Sequence, residues 1–214
     1  MKSLVNGFML CVFLSACSNS DRPAITVKNV NNFLSDIEAF ASDSLVNVVI
    51  EIPAGTNQKW EVNKETGQIE WEQITPDSMR IIDYLAYPAN YGFVPQTLLS
   101  KDRGGDGDPV DVFVLGPSIA REQVVKVRIV GIIHLLDANE VDSKLLAVDV
   151  HNPGFDVNSF EALEKNYPGA TDILRIWLLN YKGGGEAEIL SVKEEMPALR
   201  FLMEAHKAYL NNNE

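Results

Sequence analysis

Apolar and polar residues alternate along much of the chain with the period of two that is typical of β-strands. Residues 47–52 show this pattern with β-branched side chains, and a proline and a glycine follow closely. The pattern predicts further strands over 60–62, 69–71, 111–115, 124–136 and 144–150. Gly131 interrupts the longest of these strands and indicates a bend or a bulge there.

The spacing of apolar residues becomes helical towards the end of the chain. It predicts helices over 158–167, 171–181 and 197–210, with Thr171 as the N-cap of the second helix. Strands followed by helices indicate an α+β fold, in which a small antiparallel sheet or barrel is flanked by helices. Residues 25–44 match neither period, so no element is assigned to them.

The first residues have the order of a secretory signal peptide: a lysine, an apolar run over 4–14, and then small residues. The run is too short for a membrane-spanning helix. Leu14-Ser15-Ala16-Cys17 resembles the lipobox of bacterial lipoproteins, in which cleavage leaves an acylated cysteine. We therefore expect a signal peptide over 1–16, acylated Cys17 and a tether over 17–24, and a single domain over 25–214. A buried N-terminal helix is the alternative interpretation.

The lipobox implies a location in the bacterial cell envelope. The protein would face the periplasm and be attached to a membrane by the lipid on Cys17. Because no aspartate follows Cys17, the sorting rule of Gram-negative cells favours the outer membrane. After Cys17 the chain has no further cysteine, so the domain has no disulfide and depends on its core.

The 214-residue chain has a formal net charge of -12. No basic stripe offsets this charge, which argues against nucleic acid as a partner. An acidic protein that binds a polyanion would need metal ions and a few well-placed basic residues.

Three aspartates lie close together in the segment GGDGDPVDVFVL at 104–115. Three interpretations are open. The first is a solvated acidic turn, which is what most short clusters of charge are. The second is a calcium loop, but Pro109 stands where the glycine-rich calcium repeat needs an aspartate. The third is a magnesium site, because small hard cations prefer oxygen ligands and can activate a water molecule.

The segment Asp106-Gly107-Asp108-Pro109-Val110-Asp111-Val112 resembles the signature of the family I soluble inorganic pyrophosphatases. Other segments resemble the same family, in the same order along the chain. These segments are 49–53, 59–61, 87–92, 131–137, 142–145 and 181–182. The resemblance covers residues 46–182 and implies an OB-like barrel core flanked by helices.

The resemblance also implies a role for each site residue. Divalent cations, expected to be Mg²⁺, would be held by Glu51, Glu61, Asp106, Asp111, Asp137 and Asp142. Inorganic pyrophosphate would contact Lys59, Arg80, Tyr91, Lys144, Tyr181 and Lys182. Asp108 would act as the general base that accepts a proton from the attacking water. Arg80 precedes Tyr87 by seven residues, whereas the family spacing is about eight.

This resemblance predicts Mg²⁺-dependent hydrolysis of inorganic pyrophosphate to two phosphates. Phosphoryl transfer needs mainly positioning and charge stabilisation from the protein, which suits this set of carboxylates and bases. Two alternatives remain: a phosphohydrolase for nucleotides or short polyphosphate, and a catalytically inactive surface lipoprotein that binds metal. A homo-oligomer is also expected, since the family includes dimers and hexamers.

Overall fold

The computed structural model describes residues 30–213, apart from 139, 153 and 186. Within these ranges the strands and α-helices, in chain order, are β1 (Phe40–Ser42), β2 (Leu45–Ile52), β3 (Trp60–Val62), β4 (Ile69–Trp71), β5 (Gln73–Thr75), β6 (Ser78–Met79), β7 (Asn90–Val94), β8 (Val110–Leu115), β9 (Val124–Asp137), β10 (Glu140–Val141), β11 (Lys144–Asp149), α1 (Phe160–Asn166), α2 (Ala170–Asn180), β12 (Ala187–Glu194) and α3 (Glu195–Asn212). A short 3₁₀ turn spans Lys101–Arg103.

Five of the strands close into a barrel. Their order is β2-β7-β8-β11-β9, and β9 pairs back with β2. All neighbours in this ring are antiparallel except β8 and β11, which are parallel. Small Greek-key barrels of the OB type have five strands. The predicted α+β fold with an OB-like barrel and flanking helices is confirmed, and the parallel pair is a feature that the sequence pattern did not indicate.

The long strand β9 has the predicted irregularity at Gly131. Leu146 pairs with Gly131 and Ala147 pairs with Ile129, so Val130 is an extra residue on β9. A Cβ atom on Gly131 would lie 2.9 Å from the carbonyl oxygen of Lys193 on β12. Glycine therefore allows β12 to approach β9 at the bulge.

Successive residues of β8 pack into different parts of the core. Val112 and Val114 lie in an apolar cluster with Leu202 of α3, whereas Phe113 lies in a second cluster with Trp177 of α2. Alternate side chains of a strand point to opposite faces. A strand that is buried on both faces needs a continuous apolar run, and 112–115 is such a run.

Two short hairpins, β3–β4 and β5–β6, lie outside the barrel sheet. Every residue of β5 and β6 is exposed. Backbone hydrogen bonds connect the two hairpins to each other through Lys59, Glu72 and Arg80. These hairpins are called the outer hairpins below, and they contain several of the predicted site residues.

The structure corrects one predicted cap. Helix α2 begins at Ala170 with Gly169 as its N-cap, at a φ of 83° that favours glycine. Thr171 instead donates a hydrogen bond to Oε1 of Glu164 (2.5 Å) and so joins α2 to α1.

In the unassigned segment the described residues 30–44 form turns and β1. None of the helices in the described ranges has both the length and the apolar character needed to cross a bilayer.

Candidate active site

The parallel pairing of β8 and β11 brings an acidic and a basic residue together. Leu145 pairs with Val112, so Lys144 comes beside Asp111 near the beginning of both strands. Nζ of Lys144 donates to Oδ2 of Asp111 (2.5 Å) and also to Oδ1 of Asp142. Strand β9 separates β8 from β11 in the chain. Because β8 and β11 nevertheless pair directly, residues that are distant in sequence become neighbours.

Burial and charge act against each other in this trio. Burial lowers the pKa of Lys144, but the carboxylates of Asp111 and Asp142 raise it more, so the net shift is upward. Burial raises the pKa of Asp142, and the neighbouring Lys144 opposes that shift. The Lys144 side chain is only 4% exposed. Lys144 therefore remains a cation that balances two carboxylates inside the protein.

The turn before β8 is held by backbone hydrogen bonds. Leu99 N donates to the carbonyl of Asp108 (2.8 Å), and Gly107 N donates to the carbonyl of Leu99 (2.8 Å). Gly107 has a φ of 87°, which explains the glycine between the two aspartates. Oδ1 of Asp106 accepts from the backbone N of Asp108 (2.8 Å). One carboxylate oxygen of Asp106 therefore shapes the turn, and the other can serve as a ligand for a cation.

Burial raises the pKa of Asp106 to about 6, although the hydrogen bond from Asp108 N lowers it. The negative charges of Asp108, Asp142 and Asp111 add to the rise. Asp108 itself is half-buried and forms an ion pair with Lys64 from the β3–β4 turn. Lys64 was not among the residues predicted for the site.

A second ion pair joins the end of β9 to the end of α2. Asp137 closes β9, and its Oδ2 accepts from Lys182, which follows Tyr181. The ring of Tyr181 stacks on Trp177 with centroids 4.4 Å apart. Burial raises the pKa of Tyr181, and Lys144 and Lys182 lower it. Tyr181 and Lys182 thus lie at the end of α2 beside Asp137, and the charge of Lys144 also acts on Tyr181.

The basic residue Lys59 lies against the barrel at β3. It pairs with Glu61 (3.1 Å), so the two side chains share a face of the strand as predicted. Burial lowers the pKa of Lys59, but Tyr87 and the acidic residues around it raise it more. Trp60 points away from them, and the guanidinium carbon of Arg121 lies 3.7 Å from its ring centroid.

Glu51 on β2 is buried behind this pair. One carboxylate oxygen accepts from Val62 N (2.7 Å), which fastens the outer hairpin β3–β4 to the barrel. Burial raises the pKa of Glu51 to about 8, and Lys59 opposes the rise. Glu51 is therefore mainly protonated at neutral pH in this arrangement.

The two tyrosines of the 87–92 motif pack beside these charged residues. Tyr91 lies under Lys144, with Nζ 5.7 Å from the ring centroid, and Tyr87 contacts both Tyr91 and Trp177. Asn90 has a structural role: its side chain is buried and binds four backbone groups. Its partners are Ala54 N (3.0 Å), Ile119 N (2.7 Å), the carbonyl of Val114 (3.1 Å) and the carbonyl of Pro117 (2.9 Å).

Arg80 borders the same site. Burial lowers its pKa, but Glu72 raises it more, and Tyr181 and Tyr87 also act on its charge. Tyr87 acts in the same way on Lys59, and the backbone N of Lys59 donates to the carbonyl of Arg80 (3.1 Å). With its spacing of seven residues before Tyr87, Arg80 thus lies next to Lys59, and its role in binding phosphate stays a prediction.

The carboxylates suit a hard divalent cation. Asp106, Asp111, Asp137 and Asp142 offer oxygen ligands at one end of the barrel, and Mg²⁺ prefers oxygen. Oδ1 of Asp137 is buried, and nothing in the described part of the chain donates a hydrogen bond to it. No three His, Cys, Asp or Glu side chains of residues 30–213, outside the three undescribed positions, already converge on one point. The ammonium groups of Lys144 and Lys182 are paired with three of these carboxylates. The residues present therefore fit divalent cations that would take the place of these ammonium groups.

Comparison with known proteins agrees with this site. The family model described as inorganic pyrophosphatase matches residues 48–210. The soluble inorganic pyrophosphatase of Oryza sativa subsp. indica is 30% identical over 177 residues, covering 78% of this chain and 75% of the rice protein.

Two solved structures are similar. The N-terminal-domain-truncated vacuolar soluble pyrophosphatase of Trypanosoma cruzi, in complex with PPi, has a TM-score of 0.78 and 25% identity, covering 83% of this chain and 78% of that one. The inorganic pyrophosphatase of T. brucei brucei has a TM-score of 0.79 and 24% identity, which supports the fold alone. Its alignment covers 84% of this chain and 60% of the T. brucei chain.

Fold and site define a phosphoanhydride hydrolase. The chain belongs to the inorganic pyrophosphatase family. The predicted family and the predicted enzyme class, an inorganic diphosphatase, are confirmed. The roles of individual residues stay predictions, although the described site residues all lie around one end of the barrel and the outer hairpins. Cys17 lies outside the described residues.

Sequence analysis missed three contributors. Lys64 pairs with Asp108, and Glu72 pairs with Arg80. The side chain of Asn90 forms hydrogen bonds to backbone groups that connect separate loops. Only Asn90 stood inside a recognised motif. The other two belong to the outer hairpins, where the partner of a charged side chain depends on how each hairpin folds back.

Proposed function

We propose that this protein hydrolyses inorganic pyrophosphate to two phosphates in a Mg²⁺-dependent reaction at the end of the barrel next to the outer hairpins. One observation supports this most strongly: the Asp111–Lys144–Asp142 trio and the Asp137–Lys182 pair join acidic and basic groups at the ends of β8, β9 and β11. A dianionic phosphate and its cations need such a mixed lining.

The carboxylates divide into two groups in this proposal. Asp106, Asp111, Asp137 and Asp142 would hold the cations, with Glu51 and Glu61 supporting them. Bound Mg²⁺ would supply Lewis-acid stabilisation and activation of water. Asp108 accepts the proton of the attacking water, and its side chain is 42% exposed.

The basic residues bind the two phosphate groups. Lys59, Arg80 and Lys182 neutralise the charge that grows on the leaving phosphate, and Tyr181 donates a hydrogen bond to it. Lys144 and Tyr91 complete the substrate pocket on the barrel side. Lys144 and Lys182 are paired with aspartates, and both would be available to bind phosphate where bound cations neutralise those aspartates.

The direct experiment measures phosphate release from pyrophosphate by the protein with Mg²⁺ and with EDTA. We expect turnover that needs Mg²⁺ and that falls roughly 100-fold to 10,000-fold in Asp108→Asn. Asp102→Asn is the matched control, since Asp102 is exposed in the neighbouring 3₁₀ turn. Absence of turnover by the folded protein, or full activity of Asp108→Asn, would contradict the proposal. Parallel assays with tripolyphosphate and ATP test the substrate.

The location is also a proposal, supported by Leu14-Ser15-Ala16-Cys17. In it, residues 1–16 are a signal peptide, acylated Cys17 and the tether 17–24 attach the protein to the membrane, and 25–214 is the catalytic domain facing the periplasm. The enzyme would then release phosphate from pyrophosphate outside the cytoplasm. Cys17→Ala should abolish labelling by an alkyne-tagged fatty acid and release the protein from the membrane fraction. Labelling that persists would contradict it, as would unimpaired growth of a deletion strain on pyrophosphate as sole phosphorus source.

We further propose a homo-oligomer. Large apolar side chains are exposed on and near α2: Leu85 is 71% exposed, Ile173 59% and Ile176 58%. Clusters of this kind often mark protein interfaces. Sedimentation equilibrium should give a mass above that of one chain, and Ile176→Lys should lower it. A monomer at all concentrations would contradict this proposal.

A further inference from the structure

The second outer hairpin positions Arg80 through a closed set of backbone hydrogen bonds. Glu72 lies directly before β5 and Arg80 directly after β6. Arg80 N donates to the carbonyl of Glu72 (2.7 Å), Glu72 N donates to the carbonyl of Lys59 (2.9 Å), and Lys59 N donates to the carbonyl of Arg80 (3.1 Å). The two basic residues Lys59 and Arg80 are thus linked directly and also through Glu72.

Side chains reinforce this arrangement. Nη1 of Arg80 donates to both carboxylate oxygens of Glu72, at 2.9 Å and 3.0 Å. The carbonyl of Arg80 also accepts from Nε1 of Trp71 (2.8 Å), and Trp71 stacks on Trp60 with centroids 5.5 Å apart. Both partners of the ion pair are partly sheltered, since the side chain of Glu72 is 26% exposed and that of Arg80 31%.

The geometry leaves part of the guanidinium free to bind an anion. Within the described ranges, Glu72 is the only carboxylate in ion-pair contact with Arg80, and its hydrogen bonds come from Nη1 alone. A guanidinium has five N–H donors in a planar fork, so several donors can still bind phosphate. Because the fork is rigid, fixing one nitrogen also fixes the direction of the others.

We propose that Glu72 is a positioning residue for substrate binding: it holds Arg80 beside Lys59, so that both cations bind the same phosphate group. The proposal rests on the proposed pyrophosphatase function. Without Glu72, a long arginine side chain on an exposed hairpin would sample many rotamers and lose that freedom only on binding. The contrary hypothesis is that Glu72 competes with phosphate for Arg80, and it predicts an effect of opposite sign.

The test uses the full chain and the variant Glu72→Gln, which keeps the size of the side chain and removes its charge. Binding of imidodiphosphate, a non-hydrolysable pyrophosphate analogue, is measured by calorimetry in Mg²⁺. We expect a dissociation constant about 10-fold higher than in the unaltered protein, as for the loss of one hydrogen bond to a charged group. In steady-state assays kcat/KM should fall by at least a similar factor.

Two further variants separate positioning from a general structural effect. Glu70→Gln is the matched control, because Glu70 is exposed in the same hairpin region and contacts Asn63 and Thr66 but not Arg80. Its affinity should equal that of the unaltered protein. In the Arg80→Ala background, Glu72→Gln should cause no further loss, because Glu72 acts through Arg80.

Three results would overturn the inference: unchanged affinity in Glu72→Gln, tighter binding in Glu72→Gln, or an equal loss with and without Arg80. Hydrolysis of pyrophosphate by the unaltered protein is scored separately. If that protein turns over pyrophosphate and Glu72→Gln binds the analogue normally, only the role of Glu72 is refuted. If the unaltered protein neither binds nor hydrolyses, the proposed function fails instead.

Discussion

The barrel strands and the outer hairpins provide the two halves of the proposed active site in different ways. The barrel positions Asp111, Asp137 and Lys144 at strand ends within a continuous sheet, where neighbouring strands fix the backbone. The outer hairpins provide Lys59 and Arg80 from positions that flank strands of two or three residues outside that sheet. The proposed metal ligands Asp111 and Asp137 therefore lie on rigid elements, whereas two of the cations proposed to bind phosphate lie on elements that need additional fastening.

Side chains supply that fastening. Glu51 binds Val62 N from the barrel side, and Glu72 binds the guanidinium of Arg80 within the hairpins. This difference predicts different consequences of substitution. Changes at the barrel end should affect stability and metal binding, whereas changes in the outer hairpins should affect substrate affinity and leave stability nearly unchanged.

The largest effect is expected for Lys144→Met in the barrel. The substitution leaves Asp111 and Asp142 close together without their cation, and breaking a buried pair from one side costs about 3–5 kcal/mol of unfolding free energy. Urea denaturation in EDTA measures this loss. Mg²⁺ should restore part of it, because the cation takes over the neutralising role.

Lys165→Met is the control for that experiment, since Lys165 is exposed in the last turn of α1. It should change the unfolding free energy by less than about 0.5 kcal/mol. If the two variants lose the same stability, the Asp111–Lys144–Asp142 trio is not the special feature of the barrel end that its geometry indicates.

The next effect is expected for Arg80→Ala in the outer hairpins. Loss of charge-assisted hydrogen bonds to phosphate should raise KM roughly 10-fold to 100-fold. The unfolding free energy should change little, because Arg80 is partly exposed and its backbone bonds remain. A variant with normal KM but much reduced stability would reverse the contrast between the two regions.

A smaller effect concerns pH, and it arises where barrel and hairpin meet. Burial raises the pKa of Glu51 to about 8 in the folded protein, from an ordinary value of 4.5. The folded state therefore keeps a proton that the unfolded chain releases, and this contribution to stability is complete below pH 4.5 and is lost as the pH rises to about 8. Asp106 acts in the same direction over a narrower range, since its pKa is about 6.

In EDTA, the melting temperature should thus fall between pH 5 and pH 8.5, and Glu51→Gln should flatten that dependence. The glutamine keeps a hydrogen-bond acceptor for Val62 N and has no proton to lose. A melting temperature that rises over this interval, or an unchanged slope in Glu51→Gln, would show that Glu51 is not the group that titrates.

Sequence patterns predicted the barrel better than its surroundings. The β-branched runs of β2, β8, β9 and β11 are buried, so their side chains reveal both period and environment. Strand β7 was missed because its motif contains proline, asparagine and glycine, which normally indicate a turn. Asn90 is accommodated there because four backbone groups bind its side chain. Strand β12 was missed because its residues are half-buried or exposed and several are charged.

The site follows the same division. The aspartates at 106, 108 and 111 were evident because they are neighbours in sequence, and family motifs indicated Asp137, Asp142 and Lys144. The pairing of Glu72 with Arg80 and of Lys64 with Asp108 depends on the path of the outer hairpins. Short exposed strands have little hydrophobic pattern to define that path, so these partners could not be predicted from the sequence.

The most direct test of the account is a calorimetric titration with Mg²⁺ and then with imidodiphosphate, carried out on Asp111→Asn and on Arg80→Ala. We predict that Asp111→Asn loses Mg²⁺ binding and with it the analogue, whereas Arg80→Ala binds Mg²⁺ normally and the analogue more weakly. Normal Mg²⁺ binding by Asp111→Asn, or loss of Mg²⁺ binding in Arg80→Ala, would contradict the division between barrel carboxylates and hairpin cations.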